Sequence, residues 1–284
     1  YYIGQVPGRT IVVDANSLSG DNLDLQMALY STTSSSCSGP LTEVSKQYDG
    51  IGVAWDEDAY FNCLDPTKYY WLMVDGSDVT GTGVASALEQ GNFSIRFWFP
   101  EEGEITFCGA ENLGTVPNGG AITKLNLSNI CGTAVTTNMG VAPASNITLP
   151  SGFTLDNAVI YKFVAPASGS VKIEGFSNPY YPGELGTFAG DVIDMQLAVF
   201  EQVGAACGSA MYYPKGNKWD ITDGFGEKLI VNCLNPGQTY YLMVDGSGLN
   251  TKGYFDLKIS DYGISTPNDF LCNATPIPGT YAPA

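Results

Sequence analysis

The sequence predicts an all-β protein built from tandem, antiparallel, jelly-roll-like β-sandwich domains. Three observations lead to this fold class. The 284 residues include 34 glycines and 16 prolines, a composition typical of short strands joined by turns. No stretch shows the 3.6-residue hydrophobic period of an amphipathic helix. The chain also repeats itself at a fixed spacing, so one fold is expected to occur more than once.

The repeat is clearest in two fourteen-residue stretches. Residues 63–76 read CLDPTKYYWLMVDG and residues 233–246 read CLNPGQTYYLMVDG, so nine of the fourteen positions are identical at an offset of 170. Residues 24–30, DLQMALY, match residues 194–200, DMQLAVF, at the same offset. A constant offset without gaps predicts two copies of one unit.

The repeat divides the chain into three parts. Residues 1–100 are predicted to be a β-sandwich repeat truncated at its N-terminus, and residues 101–262 a complete repeat. Residues 263–284 are predicted to begin a third repeat, because Cys272 aligns with Cys108 at an offset of 164. The chain is therefore expected to be part of a longer array.

Strands are predicted where β-branched and aromatic residues run between turn residues. In the first repeat, residues 1–13 form two strands around the Pro7-Gly8 turn, and a Ser-rich loop at 31–39 follows the next strand. The remaining predicted strands of that repeat are 22–30, 59–63, 69–75 and 92–99. Those of the second repeat are 122–127, 133–137, 158–164, 170–175, 192–200, 228–233, 240–245 and 254–259.

The strand at 240–245 shows how the pattern specifies a sandwich. Successive side chains of a strand point to opposite faces, so Tyr240, Leu242 and Val244 should be buried on one face. Tyr241, Met243 and Asp245 should then lie on the other face. The Asp-Gly pairs that end this strand and its copy, at 75–76 and 245–246, are expected to form turns.

The cysteine spacing predicts disulfides. The chain has seven cysteines and no histidine. One pair lies 26 residues apart in each repeat, and a third pair opens the second repeat, so the predicted bridges are Cys37–Cys63, Cys207–Cys233 and Cys108–Cys131. The partner of Cys272 is expected beyond residue 284. Such bridges form in oxidising surroundings and predict an extracellular protein.

Composition excludes several functions. A net charge of −17 repels phosphate backbones, so nucleic acid is not an expected partner. No apolar run is long enough to cross a bilayer, so no membrane insertion is expected. Without histidine there is no Ser-His-Asp or Cys-His pair and no ordinary zinc or haem site. The sequence has no Gly-x-Ser-x-Gly or phosphate-loop motif, and we expect no enzymatic activity.

Calcium is the one cation for which the sequence offers candidates, although no cofactor is required. Hard cations take six to eight oxygen ligands, commonly from acidic loops. The candidates are carboxylates in two expected loops: Asp56, Glu57, Asp58, Asp220 and Asp223. The alternative is that these side chains form turns by accepting hydrogen bonds from their own backbone.

Aromatic residues have two expected roles. Those of the repeated strand, including Tyr70 and Tyr240, should pack in cores or between domains, with a sugar-stacking platform as the alternative. Two Tyr-Tyr-Pro sequences fall in expected loops of the second repeat. The candidate exposed contact residues are Tyr180, Tyr181, Tyr212 and Tyr213.

Residues 160–169 read IYKFVAPASG and fit the pattern W/Y-Y-x-F-x-A-P-x-S-G. This stretch resembles the strand and turn of bacterial pre-peptidase C-terminal-like domains. The strand at 194–200 is similar to the D-T/L-x-L-x-L/V-Y/F strand of this family, and residues 268–274 are similar to its N-D-x-C-x-N-A opening. The resemblance covers nearly the whole chain and implies a β-sandwich repeat.

The cysteine-bearing variety of these repeats occurs in large surface proteins of Bacteroidota that the type IX system secretes. The resemblance therefore implies a non-catalytic structural region of a long extracellular filament or adhesin, similar to gliding adhesins. Its partners would be neighbouring repeats and possible surface polysaccharide or substratum. The alternative function is a carbohydrate- or matrix-binding accessory module of a secreted hydrolase.

Overall fold

The computed structural model describes most of the chain. The described residues are 1–5, 10–18, 25–36, 39–47, 56–76, 91–99, 103–134, 139–140, 144–177, 193–204, 207–219, 226–247 and 251–263. The chain divides into two compact units, Tyr1–Glu102 and Gly103–Ala284. The predicted third repeat at 263–284 falls almost wholly outside the described residues.

The described residues of unit 1 form seven strands in two sheets. They are β1 (Tyr2–Gly4), β2 (Ile11–Ser17), β3 (Leu25–Thr32), β4 (Thr42–Gln47), β5 (Asp56–Phe61), β6 (Tyr69–Gly76) and β7 (Phe93–Trp98). One sheet has the order β1-β6-β3-β4 and the other β5-β2-β7, with antiparallel pairing throughout. Buried side chains from both sheets, such as Leu29 and Ile11, form a single core between them.

In unit 2, nine strands in two sheets fall within the described ranges. They are β8 (Glu111–Thr115), β9 (Ala121–Ser128), β10 (Val159–Val164), β11 (Val171–Ser177), β12 (Met195–Val203), β13 (Met211–Trp219), β14 (Gly226–Val231), β15 (Thr239–Gly246) and β16 (Tyr254–Asp261). The sheet orders are β13-β12-β15-β10-β8 and β14-β11-β16-β9. Among these described strands, β8 and β10 pair in parallel and the other pairs are antiparallel.

The predicted all-β sandwich is confirmed. The regular structure of the described residues consists of strands, apart from short 3₁₀ turns such as Ala144–Asn146. In unit 2, Leu197, Leu242 and Val244 of one sheet face Ile173 and Leu257 of the other in the main core. Burying these large apolar side chains away from water is the main driving force for closing the two sheets on each other.

Some elements differ from the prediction. The strands β4, β8 and β13 were not predicted, because edge strands carry few of the apolar residues on which the pattern depends. The predicted strand at 133–137 is wrong at its start, where Thr133 forms only an isolated bridge to Ala158. Residues 135–137 lie outside the described residues.

The seven strands of unit 1 correspond to β10–β16 of unit 2, and fine detail is repeated as well. Cys63 and Cys233 both adopt a left-handed backbone conformation, with φ of 58° and 60°. The hydroxyl oxygen of a buried tyrosine accepts a hydrogen bond from the backbone N–H five residues earlier in both units. Asp65 donates to Tyr70 at 2.7 Å, and Asn235 donates to Tyr240 at 2.8 Å. Because these features require matching turns, the repeat is one of three-dimensional structure as well as sequence.

The structure corrects the predicted disulfides. Cys108 is bonded to Cys207, with 5.5 Å between their Cα atoms, so the predicted Cys108–Cys131 and Cys207–Cys233 bridges are wrong. The predicted Cys37–Cys63 bridge cannot be compared because Cys37 lies outside the described residues. Cys63, Cys131 and Cys233 are also disulfide-bonded. Equal spacing misled the prediction because folding brings Cys207 to a segment 99 residues earlier in the chain.

This pairing can be tested by mapping disulfides in a digest made without reductant. The peptide that contains Cys108 should be linked to the peptide that contains Cys207. Cys131→Ser is the matched control, and Cys108 should remain linked to Cys207 in that variant. The double variant Cys108→Ser/Cys207→Ser should lose up to about 4.7 kcal/mol of unfolding free energy, the value for a loop of about 100 residues. Linkage of Cys108 to Cys131 would contradict the structure.

Candidate interaction surface

The central strands of the five-stranded sheet of unit 2 are buried on both faces. One face lies in the sandwich core. The other, called here the outer face, is covered by residues 103–110, 139–140 and 144–158, which are called here the covering segment. The buried cluster on this side joins residues of the segment to residues of the sheet: Phe107, Ala110, Met139, Ile147, Phe153, Ala158, Ile160, Ala198, Phe200, Ala210, Tyr212, Tyr241 and Met243. The segment thus forms a third layer over the sandwich.

Phe107 anchors this segment. Its ring stacks on that of Tyr212, with centroids 3.9 Å apart, and packs edge-on against Phe200 and Tyr241 at 5.7 and 5.5 Å. The adjacent Cys108–Cys207 bridge ties the same segment to the turn before β13. Burial raises the pKa of both the Tyr212 and Tyr241 hydroxyls, so these groups stay neutral within the aromatic cluster.

Two polar side chains of the outer face bind the backbone of the covering segment. The Gln196 Oε1 accepts a hydrogen bond from the Thr154 N–H at 3.1 Å, and its Nε2 donates to Thr154 Oγ1 at 2.8 Å. The Asp245 carboxylate accepts from the N–H groups of Asp156 at 2.9 Å and Asn157 at 2.7 Å. We call Gln196 and Asp245, which face each other across β12 and β15, the backbone clamp.

Asp245 is fully buried, and burial raises its pKa to about 7. The three backbone N–H donors, from Asp156, Asn157 and Gly246, act in the opposite direction but do not offset the loss of hydration. The proton on this carboxyl group is therefore held more tightly in the folded state than in the unfolded chain.

Unit 1 repeats the outer face, and among its described residues no layer of this kind lies over the face. In unit 1, strands β3 and β6 pair in the same register as β12 and β15 of unit 2. The pairs of unit 1 are Gln26–Asp75, Ala28–Met73 and Tyr30–Trp71, and the equivalent pairs of unit 2 are Gln196–Asp245, Ala198–Met243 and Phe200–Tyr241. Met73 is 50% exposed, whereas its counterpart Met243 is 0% exposed. Asp75 is also exposed, where Asp245 is buried.

A groove lies on this exposed face. Its volume is about 330 Å³, and it is lined by Gln26, Met27, Ala28, Tyr30, Glu43, Lys46, Met73 and Asp75. The groove therefore contains both residues equivalent to the backbone clamp, together with apolar side chains equivalent to those that Phe107 and Phe153 help to bury in unit 2.

A cluster of aromatic rings lies near one end of the same face. Tyr2 is 49% exposed, and its ring lies 4.6 Å from that of Trp71 and 6.5 Å from that of Tyr69, nearly parallel to the latter. Rings arranged in this way present flat apolar surface to solvent.

The predicted calcium ligands stay a prediction. Asp56, Glu57 and Asp58 lie in strand β5, where a loop was expected. Asp220 and Asp223 lie outside the described residues. Within the described part of the chain, no group of three or more acidic, cysteine or histidine side chains is placed to hold a metal ion.

The predicted contact aromatics divide into three cases. Tyr212 is fully buried against Phe107, so its assignment as an exposed residue is wrong, because β13 is a strand and not a loop. Tyr213, its neighbour on the opposite face, is 38% exposed. Tyr180 and Tyr181 lie outside the described residues. Tyr70 and Tyr240 are buried in their sandwich cores, as predicted.

Sequence reasoning missed the backbone clamp. A signal was present, since Gln26 and Gln196 are identical at the offset of 170, and so are Asp75 and Asp245. Those identities were interpreted as strand and turn features. A turn role is real, since each aspartate accepts a hydrogen bond from the following glycine N–H at 2.9 and 2.8 Å. That Gln196 and Asp245 bind residues 154–157 follows only from the tertiary structure, which shows the chain that lies over the sheet.

Comparison with known proteins gives little further information. No family model matches the chain, and no curated protein matches it. Among solved structures, the N-terminal CBM22-1–CBM22-2 tandem domain of Xyn10C from Paenibacillus barcinonensis matches 91% of this chain and 80% of that one, with 9% identity and a TM-score of 0.28. The described residues contain no helix long and apolar enough to cross a bilayer.

The buried carboxyl of Asp245 predicts a specific pH dependence of stability. The pKa of this group is about 7 in the folded protein, whereas an aspartate in an unfolded chain has the ordinary value of 3.8. Between pH 3.8 and about 7, the folded state therefore holds a proton that the unfolded chain has lost. The free energy of unfolding should therefore fall as pH rises from about 4 to 7, by at most about 4 kcal/mol from this group. Asp245→Asn should remove this part of the slope.

The measurement is urea unfolding at pH 4.5, 5.5, 6.5 and 7.5. Asp75→Asn makes the same substitution at the exposed counterpart position and is the matched control for the change itself. Equal slopes for wild type and Asp245→Asn would show that the carboxyl group does not hold its proton in this way.

Proposed function

We propose that this chain is a non-catalytic structural repeat region of a long extracellular bacterial surface filament or adhesin. The observation that carries the proposal is the repetition of one sandwich down to its turn geometry, as in the matching backbone of Cys63 and Cys233. Tandem repeats of one rigid unit give a protein reach, and many weak contacts along such a protein add up to strong attachment.

Disulfides and charge support a place outside the cell. The Cys108–Cys207 bridge fits an oxidising environment, which secreted proteins meet. The net charge of −17 keeps neighbouring copies soluble by mutual repulsion. The resemblance of residues 160–169 and 194–200 to pre-peptidase C-terminal-like repeats supports a surface protein of the type IX class, with gliding adhesins as the functional analogue.

Immunogold labelling of intact cells of the source organism tests this function. Antibodies raised against the chain should label thin threads on unpermeabilised cells, with more than one particle along each thread because the epitope is repeated. Cells that lack the gene are the control. Label that appears only after permeabilisation would contradict the proposal.

A second candidate function is carbohydrate binding as an accessory module of a secreted hydrolase. The aromatic cluster of Tyr2, Tyr69 and Trp71 favours it, since the exposed ring of Tyr2 and the half-buried rings of Tyr69 and Trp71 beside it can stack on the apolar faces of sugars. Tyr2 and Trp71 would supply the contact surface.

Affinity electrophoresis in gels that contain soluble polysaccharides tests this second function. If it holds, the chain should be retarded by at least one polysaccharide, and Tyr2→Ala should lose most of that retardation. Tyr213→Ala, which removes an exposed ring from unit 2, is the matched control. Equal mobility with and without every polysaccharide would contradict carbohydrate binding.

A further inference from the structure

We propose that the outward face of the four-stranded sheet of unit 2 binds a linear acidic polysaccharide, a chain of uronic acid sugars. This face lies opposite the sandwich core and is called here the lysine face, because Lys172, Lys228 and Lys258 lie on it. The inference goes beyond the proposed function, since it assigns a class of ligand to one face of unit 2. It takes from that function only a place outside the cell.

Strand pairing brings the lysines together. Lys228 of β14 and Lys258 of β16 both pair with Glu174 of β11, so these three residues form a row across the sheet. Lys172 lies on the same face of β11, and its Nζ is 2.9 Å from the Glu174 Oε1. Because the ends of the row are two strand spacings apart, their backbones are separated by roughly 10 Å.

The lysine face is positive in a protein that is strongly negative. The chain has 29 acidic and 12 basic residues, yet on this face three lysines are accompanied by two carboxylates, Glu174 and Asp256. Glu174 is engaged by Lys172, and within the described part of the chain neither Lys228 nor Lys258 forms an ion pair. Both of these lysines are exposed, so their ammonium groups are accessible to a ligand.

The sandwich itself does not require this charge. In unit 1, β2 pairs with β5 and β7 in the register in which β11 pairs with β14 and β16, and the equivalent row is Asp58–Asp14–Arg96. Lys228 therefore stands at the position of Asp58. One fold accepts either sign of charge there, so folding alone does not explain a lysine at this position of unit 2.

Exposed apolar side chains lie beside the lysines. Phe176 of β11 is 49% exposed and Ile230 of β14 is 37% exposed, and both are on the lysine face. An aromatic ring on an open sheet face presents a flat apolar surface, on which the apolar face of a sugar ring can stack. The face thus combines flat apolar area with two accessible ammonium groups.

These features match a chain of uronic acids, which presents one carboxylate on each sugar and flat ring faces between the carboxylates. Two of the carboxylates would accept charge-assisted hydrogen bonds from the Nζ atoms of Lys228 and Lys258. At physiological ionic strength salt screens charges beyond about 8 Å, so the distant carboxylates of the protein do not prevent this contact. A nucleic-acid duplex carries a charge about every 1.7 Å, which is much denser than the row of lysines.

The test is an NMR titration of the full ¹⁵N-labelled chain with a galacturonate hexasaccharide. The amide signals of residues 172–176, 228–230 and 256–260 should shift, with a Kd of about 0.1–1 mM, as expected for one small contact. Lys228→Asp, which introduces the residue found at the equivalent position of unit 1, should weaken binding about fivefold, because an attractive charge becomes a repulsive one. Raising the salt concentration from about 50 to about 500 mM should weaken binding by a similar factor.

Two variants and one ligand are the matched controls. Lys258→Arg keeps the positive charge, as Arg96 does at the equivalent position of unit 1, and its Kd should equal that of wild type. Lys46→Asp makes the same change of charge as Lys228→Asp at an exposed position of unit 1 and should also bind like wild type. The fully methyl-esterified hexasaccharide keeps the sugar rings without their charges and should not bind.

Each variant is first checked for a wild-type-like spectrum. Absence of shifts up to about 5 mM hexasaccharide, an unchanged Kd in Lys228→Asp, or equally tight binding of the methyl ester would each overturn the proposal. Equal affinity for a short DNA duplex would also overturn it, because the face would then attract any polyanion. Failure of this binding leaves surface threads visible on cells and leaves ring stacking by Tyr2 on neutral polysaccharides unaffected, so the proposals fail independently.

Discussion

The architecture of unit 2 depends on a strand that must be buried on both faces. From Tyr240 to Gly246, every residue of β15 is buried. An antiparallel sandwich normally buries one face of each strand and leaves the other in water. Burial of Tyr241, Met243 and Asp245 therefore requires a third layer, which the covering segment provides through Phe107 and the Cys108–Cys207 bridge.

A buried layer held by apolar contacts alone could slide, and the backbone clamp prevents this. Gln196 and Asp245 fix the position of residues 154–157 by hydrogen bonds whose geometry allows one register. Burying a carboxyl group is unfavourable unless its oxygens have partners, and here backbone N–H groups supply them. The pKa of Asp245 is nevertheless raised to about 7, because these hydrogen bonds do not fully replace the hydration that the carboxylate loses on burial.

The described residues of the two units share one sandwich, and their cores, ladders and turns agree. The burial of the outer face differs, since Met73 is half-exposed and its counterpart Met243 is fully buried.

The sequence by itself determined the class of fold and most strands near the two cores, because apolar alternation and turn residues are local signals and the offset of 170 repeats them. It did not reveal β4, β8 or β13, whose edge positions need few apolar residues. Only the tertiary structure decided that Cys108 bonds Cys207, that Tyr212 is buried and that Asp245 holds a covering segment. Each of these depends on which distant segment lies above the sheet, and spacing along a chain carries no information about that.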